Sequence, residues 1–371
     1  MTAVQLSRRE FLTAAAAGTL AIAIPSKLGS QECLDPCEDC AGLGIMPLKN
    51  RKPYYHIEGQ PPPKAENAMA ARWCPKCQAD KKDQELIDAQ TERFKTALDA
   101  HKKWEKETGF SLTRIETRHI VVHTQMPPAE CLKIAQGFEV LAAHLQDLTG
   151  NMELTRTRPE TYEMMCFLEQ PPFEHFRIVL EKLWTVDERG PSWSQSRGIG
   201  AFDHQLLPFF YETRVLLAQR PPVHGVCFMG GRRQLYVATN YRAPRWLAEG
   251  FAEYCEFVAM KKNLWHTVYN MNPGPTPGDW VSQVRQLAEA GQLRPWQEQM
   301  TRDIRDWDVR DYLQTFGMAA FLIQTKPKEF LSVTRKLRAG TEDKVAIEEA
   351  YGKTIDKLEP ECTKWLVAGG R

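Results

Sequence analysis

The stretch Pro244-Arg245-Trp246-Leu247-Ala248-Glu249-Gly250-Phe251-Ala252-Glu253-Tyr254 constrains this chain more than any other. Proline fixes φ and suits a helix start. Leu247, Phe251, Tyr254 and Val258 recur at three- and four-residue intervals, so the spacing predicts an amphipathic helix. Glu249, Glu253 and Glu256 form the opposite stripe, which is the pattern of a solvated face.

The chain has 371 residues, enough for two domains or one large domain with an appendage, and 43% of them are hydrophobic, as expected of a globular core. Its 48 basic and 47 acidic residues nearly cancel. No strong field is left to recruit nucleic acid or an anionic membrane surface, so nucleic acid is not an expected partner.

The long apolar run, Phe11 to Pro25, is alanine-rich and short for a bilayer span. It follows Ser7-Arg8-Arg9-Glu10-Phe11-Leu12, which resembles the twin-arginine export motif, and precedes Lys27. The expectation is a signal over residues 1–30, export by the twin-arginine route to the periplasm or beyond, and no stable membrane span after cleavage. Export of a folded chain allows metal loading beforehand.

Five of the ten cysteines, Cys33, Cys37, Cys40, Cys74 and Cys77, crowd just after that signal. Cys37 and Cys40 form one CxxC pair and Cys74 and Cys77 another. Two intervening residues turn the backbone so that both thiolates of a pair can bite one metal. The first pair, with Gly42 and Gly44, looks like the CxxCxGxG unit of zinc-binding modules, and residues 31–79 resemble a zinc ribbon. That likeness implies a structural zinc held by Cys37, Cys40, Cys74 and Cys77. The 33 residues between Cys40 and Cys74 exceed the usual ribbon hairpin, so a loop carrying Pro61-Pro62-Pro63 must be accommodated. Disulfides, a thiol-redox role and an iron–sulfur cluster remain alternatives. Cys131, Cys166, Cys227, Cys255 and Cys362 sit among apolar residues and read as buried hydrophobes.

Residues 80–110 read as a linker, with an amphipathic helix from Ala79 to Thr108 closed by Gly109. His119 and His123 stand in H-x-x-x-H spacing, but Ile120-Val121-Val122 is strand chemistry. Four strand residues separate the imidazoles by ~13 Å, too far for one zinc. Pro128 to Leu148 predicts a helix, Thr161 to Leu168 a strand, and Phe202 to Gln219 a mostly helical segment interrupted at Pro208. Asn270 to Gly278 reads as a loop, followed by four or five helices.

Trp246-Leu247-x-Glu249-Gly250-x-Ala252-x-Tyr254 resembles the downstream helix of gluzincin metallopeptidases, in particular the peptidase-MA-like group of exported bacterial proteins. Glu348 to Lys353 and Leu358 to Leu366 are similar to that group's terminal helices. The resemblance implies a third zinc ligand at Glu249 and an HExxH helix upstream, where two histidines hold zinc and a glutamate activates water. At that place the chain reads His224-Gly225-Val226-Cys227-Phe228. Gly225 supplies no general base and Phe228 no ligand. His224 and Glu249 are then the vestiges of a peptidase centre, and no confident catalytic residue is left.

The sequence therefore predicts an α+β protein: a zinc-ribbon-like module at 31–79, a linker at 80–110, and a mostly helical gluzincin-like domain with a small N-terminal sheet at 111–371. The function it points to is binding or scaffolding of a protein or peptide partner. One alternative is an active zinc hydrolase using a second zinc at His224, Cys227 and Glu249. The other is a thiol-redox protein using the CxxC pairs.

Overall fold

The computed structural model describes residues 45–47, 55–57, 71–73, 96, 99–100, 102–117, 120–126, 128–149, 162–167, 170–183, 201–202, 208–211, 222–239, 242–264 and 279–370. The signal segment, the cysteines at 33, 37, 40, 74 and 77, and the 270–278 loop lie outside them. So do the side chains of Cys131 and Cys166.

Two strands of the cysteine-rich segment, β1 (Ile45–Pro47) and β3 (Ala71–Trp73), form an antiparallel ladder in which Ile45 pairs with Trp73 and Pro47 with Ala71. The strand between them in sequence, β2 (Tyr55–Ile57), joins a different sheet. It pairs antiparallel with β4 (Thr113–Thr117), with Tyr55 opposite Thr117 and Ile57 opposite Ile115. The long insertion between the CxxC pairs thus supplies the edge strand of the neighbouring sheet.

That sheet has six strands in the order β2-β4-β5-β6-β8-β7. β5 (Ile120–Thr124) runs antiparallel to β4 and parallel to β6 (Tyr162–Phe167). A parallel neighbour needs a crossover, and helix α1 (Pro128–Thr149) supplies it. Both strand expectations and the α1 expectation hold to within two residues. Helix α2 (Gln170–Leu183) follows β6. Its Phe173 and Phe176 pack with Phe167 and with Trp104, which lies in the helical stretch over 102–108. Gly109 ends that stretch in the left-handed conformation, φ +67°.

The segment read as helical from Phe202 is instead strand where it is described: β7 (Ala201–Phe202) and β8 (Pro208–Tyr211) pair antiparallel, and β8 runs parallel to β6. Pro208 opens the strand, where its missing N–H costs nothing, and Phe209-Phe210-Tyr211 is aromatic β chemistry.

The rest is helical: α3 (Pro222–Ala238), α4 (Arg245–Met260), α5 (Trp280–Glu289), α6 (Trp296–Thr301), α7 (Val309–Thr325), α8 (Pro327–Ala339), α9 (Asp343–Tyr351) and α10 (Ile355–Val367). Six helices follow residue 279, against the four or five expected, because the short α6 and the separation of α8 from α7 at Pro327 divide the periodic pattern. One hydrophobic core runs from Ile115 and Val122 of the sheet through α1, α3, α4 and α7 to Leu366 of α10. The α+β class therefore holds. Among the described residues no helix is long and apolar enough to cross a membrane.

Candidate functional site

Helices α3 and α4 are consecutive and antiparallel, joined by a short connection that closes with Thr239 Oγ1 accepting from Ala243 N–H at 3.1 Å. Helix α3 carries Gly230-Gly231, a pair that weakens a helix interior. It continues unbroken to Ala238. The glycines serve close approach: a Cβ on Gly230 would lie 2.3 Å from Phe138 Cε2 of α1, and one on Gly231 2.5 Å from Cys255 Cβ of α4. Gly250 of α4 plays the same role toward α7, where an added Cβ would meet the Thr315 carbonyl oxygen at 2.2 Å.

These contacts enclose most of α4. Twelve of its residues are buried, including both the Leu247-Phe251-Tyr254-Val258 stripe and Glu249, Glu253 and Glu256, all three with no exposed surface. The expectation of a solvated acidic face is therefore overturned. α1, α3 and α7 cover it, and α1 and α7 come from distant stretches of sequence. Tyr254 bonds His144 Nε2 of α1 through its hydroxyl at 2.8 Å, and Trp246 Nε1 donates to Asp343 Oδ2 of α9 at 2.8 Å.

Buried carboxylates demand partners. Glu249 Oε1 accepts from Arg232 Nη1 of α3 at 2.7 Å and is 2.8 Å from Arg245 Nε, one turn earlier on α4. Arg232 is itself 1% exposed, and its guanidinium lies 5.6 Å from the centroid of the Phe228 ring, a cation–π arrangement. Phe228, which stands where the resemblance places a zinc-ligating histidine, is thus part of a cradle for an arginine.

His224 lies at the other end of the hairpin. Its Nδ1 is 2.7 Å from Glu256 Oε1, and the Leu264 N–H donates to the same oxygen at 2.6 Å. Glu253 lies three residues before Glu256, about one helical turn along α4. Asn263 Nδ2 donates to the Glu253 carbonyl at 2.7 Å and to its Oε2 at 3.3 Å. Burial first, then the Glu256 and Glu249 charges, push the Glu253 carboxyl well above the usual range.

The antiparallel hairpin explains the pairing. Moving eight residues along α3 from His224 to Arg232 corresponds to moving back seven along α4 from Glu256 to Glu249. His224 and Glu249 are consequently held by different partners about two turns apart. Cys227 is fully buried, and a Cβ on Gly137 of α1 would sit 3.5 Å from its Sγ. Burial and the neighbouring Glu256 charge push its thiol far up, which opposes the thiolate that zinc requires. A divalent metal on His224, Cys227 and Glu249 does not fit these residues: Glu249 is already neutralised by two guanidiniums. Among the described residues no group of three or more His, Cys, Asp or Glu side chains is placed to hold a metal ion. His123 is buried on strand β5, as the strand reading requires.

Sequence reasoning passed over Arg232, Arg245, Glu253, Glu256 and Asn263 as functional positions. One faint signal for them was present: Arg232 follows His224 by eight residues and Glu249 precedes Glu256 by seven, near-matched spacings that an antiparallel hairpin converts into contact.

Compared with known proteins, the chain matches no family model and no curated protein.

Proposed function

We propose that this is an exported binding or scaffolding protein, in which a zinc-ribbon-like module precedes a gluzincin-like domain whose peptidase centre has been replaced by a charged brace. The observation that carries this reading is the pairing of Glu249 with Arg232 and Arg245 beside the Phe228 ring. In a working centre of that type, the glutamate on the downstream helix must present a free carboxylate to zinc, and a neighbouring carboxylate must activate water. Here the carboxylate meets cations supplied by the chain, and Gly225 offers no base. The twin-arginine-like leader and the even overall charge support an exported protein or peptide binder rather than a nucleic-acid partner.

The ladder of β1 with β3 supports the ribbon. The chain enters β1 five residues after Cys40 and leaves β3 one residue before Cys74, and the register pairs those two ends, Ile45 with Trp73. A strand pair linking two CxxC turns is the framework of a four-thiolate zinc site, which stabilises a segment too small for its own core.

The test is a metal count on purified native protein, with casein hydrolysis measured alongside. One zinc per chain, lost in Cys74→Ser/Cys77→Ser and kept in His224→Ala, is expected, together with no chelator-sensitive hydrolysis. Excess zinc lost in His224→Ala, or hydrolysis abolished by Glu249→Ala, would establish an active hydrolase instead. Reversible disulfides in place of zinc would establish the thiol-redox reading.

A further inference from the structure

We propose that Glu253 and Glu256 form a proton-dependent latch for the chain leaving α4, holding residues 261–264 against the helix hairpin while the pair carries a proton and loosening them when it is lost. The geometry is specific. Glu256 Oε1 accepts the Leu264 N–H at 2.6 Å and faces His224 Nδ1 at 2.7 Å, so one carboxylate ties together the start of α3, the end of α4 and the segment beyond. Glu253 anchors the same segment through Asn263, at its carbonyl and at Oε2. Both carboxyls are fully buried.

The segment they hold is not relaxed. Lys261 caps α4 in the left-handed region at φ 58°, where residues with a Cβ are disfavoured, and it is the one described non-glycine residue with positive φ. Its N–H is retained by the Phe257 carbonyl at 2.7 Å. A strained turn docked on two buried acids stays in place while the pair holds a proton. Removing that proton places two like charges one turn apart without water, and the least costly relief is to let 261–264 lift and hydrate the pair.

The charged groups around the pair do not cancel this effect. From α3, His224 faces Glu256, Cys227 is a buried thiol, and Arg232 is engaged with Glu249. On α4, Cys255 is a buried thiol and Arg245 is bound to Glu249. α1 contributes buried Glu139 and His144, the latter bonded to Tyr254. The Asp311 carboxylate of α7 is tied to Arg294, and Lys261 and Lys262 are exposed.

The latch is tested by hydrogen exchange of the Leu264 amide in the full chain from the ordinary glutamate value of about 4.3 up to the alkaline limit of the fold, corrected for intrinsic exchange, in the native sequence and in Glu253→Gln. Protection in the native sequence is expected to fall by about tenfold or more as pH rises, as one pKa unit of linkage produces. In Glu253→Gln, whose side chain still donates but cannot ionise, it stays level. Level protection in the native sequence, or an equal fall in the variant, overturns the latch. Should Glu253→Gln fail to fold, a carbon-13 carboxyl titration of the native protein decides: Glu253 titrating in the ordinary glutamate range overturns the proposal, and titration well above it upholds it.

Discussion

Arg232 Nη1 donates to Glu249 Oε1 at 2.7 Å, from one fully enclosed helix to another. Removing Glu249 alone leaves a guanidinium that is 1% exposed without its counter-charge. Glu249→Leu is expected to lose about 3–5 kcal/mol of stability. Adding Arg232→Met should recover much of that loss, since Arg245 is partly exposed and can turn to solvent. Urea unfolding midpoints of the single and double variants check this. A double variant less stable than the single one contradicts it.

Gly250→Ala places a methyl 2.2 Å from the Thr315 carbonyl oxygen, which is backbone and cannot rotate away. The α4 and α7 axes must separate, at about 1–3 kcal/mol or more. At Gly291, with φ +64° and open space around it, alanine meets only the left-handed strain of about 1–2 kcal/mol. Thermal melts of the two variants should rank Gly250→Ala as the more damaging. The reverse order would mean the helices can part freely.

Stability should depend on pH at both ends of the range. Glu253 has a raised pKa in the folded chain, so its contribution is complete below the unfolded value of about 4.3 and is lost as pH rises through the folded one. Asp303 is held down to about 2 by its hydrogen bonds from Arg305. Asp308, despite the burial that raises it, is held at about 2 by Arg310. Their contributions are present above about 3.9 and disappear as pH falls through about 2. Both aspartates are substantially exposed, so the acid limb is shallow. Denaturation midpoints across pH should show the fall with rising pH abolished by Glu253→Gln and the acid fall unchanged.

Cys227, Cys255 and Cys362 are buried free thiols whose ionisation burial opposes. Alkylation followed by peptide mass spectrometry should find them unmodified in native protein and fully modified in denaturant. Rapid native labelling of Cys227 would show that the α1–α3–α4 junction opens.

Much of the fold was legible because it rests on local periodicity. Ile120-Val121-Val122 marked β5, the three- and four-residue spacing through Phe138 and Leu145 marked α1, and Gly109 marked a helix end. The failures share one cause. Pro208, Gly230-Gly231 and the glutamates of α4 each obey a local rule that a distant partner overrides. Pro208 opens a strand beside β6, Gly230 and Gly231 admit Phe138 and Cys255, and the glutamates meet Arg232, His224 and Asn263. His224 and Glu249 drew attention through the resemblance alone. Their separate pairings depend on the hairpin register, which one helix viewed alone does not contain.

A guanidinium is a counter-ion that cannot leave. A bound cation is subject to supply, competition and chelation, whereas Arg232 is synthesised with the chain and reaches Glu249 whenever α3 and α4 close on each other. The charge on Glu249 is therefore balanced by the fold itself, in the same event that brings α3 and α4 together.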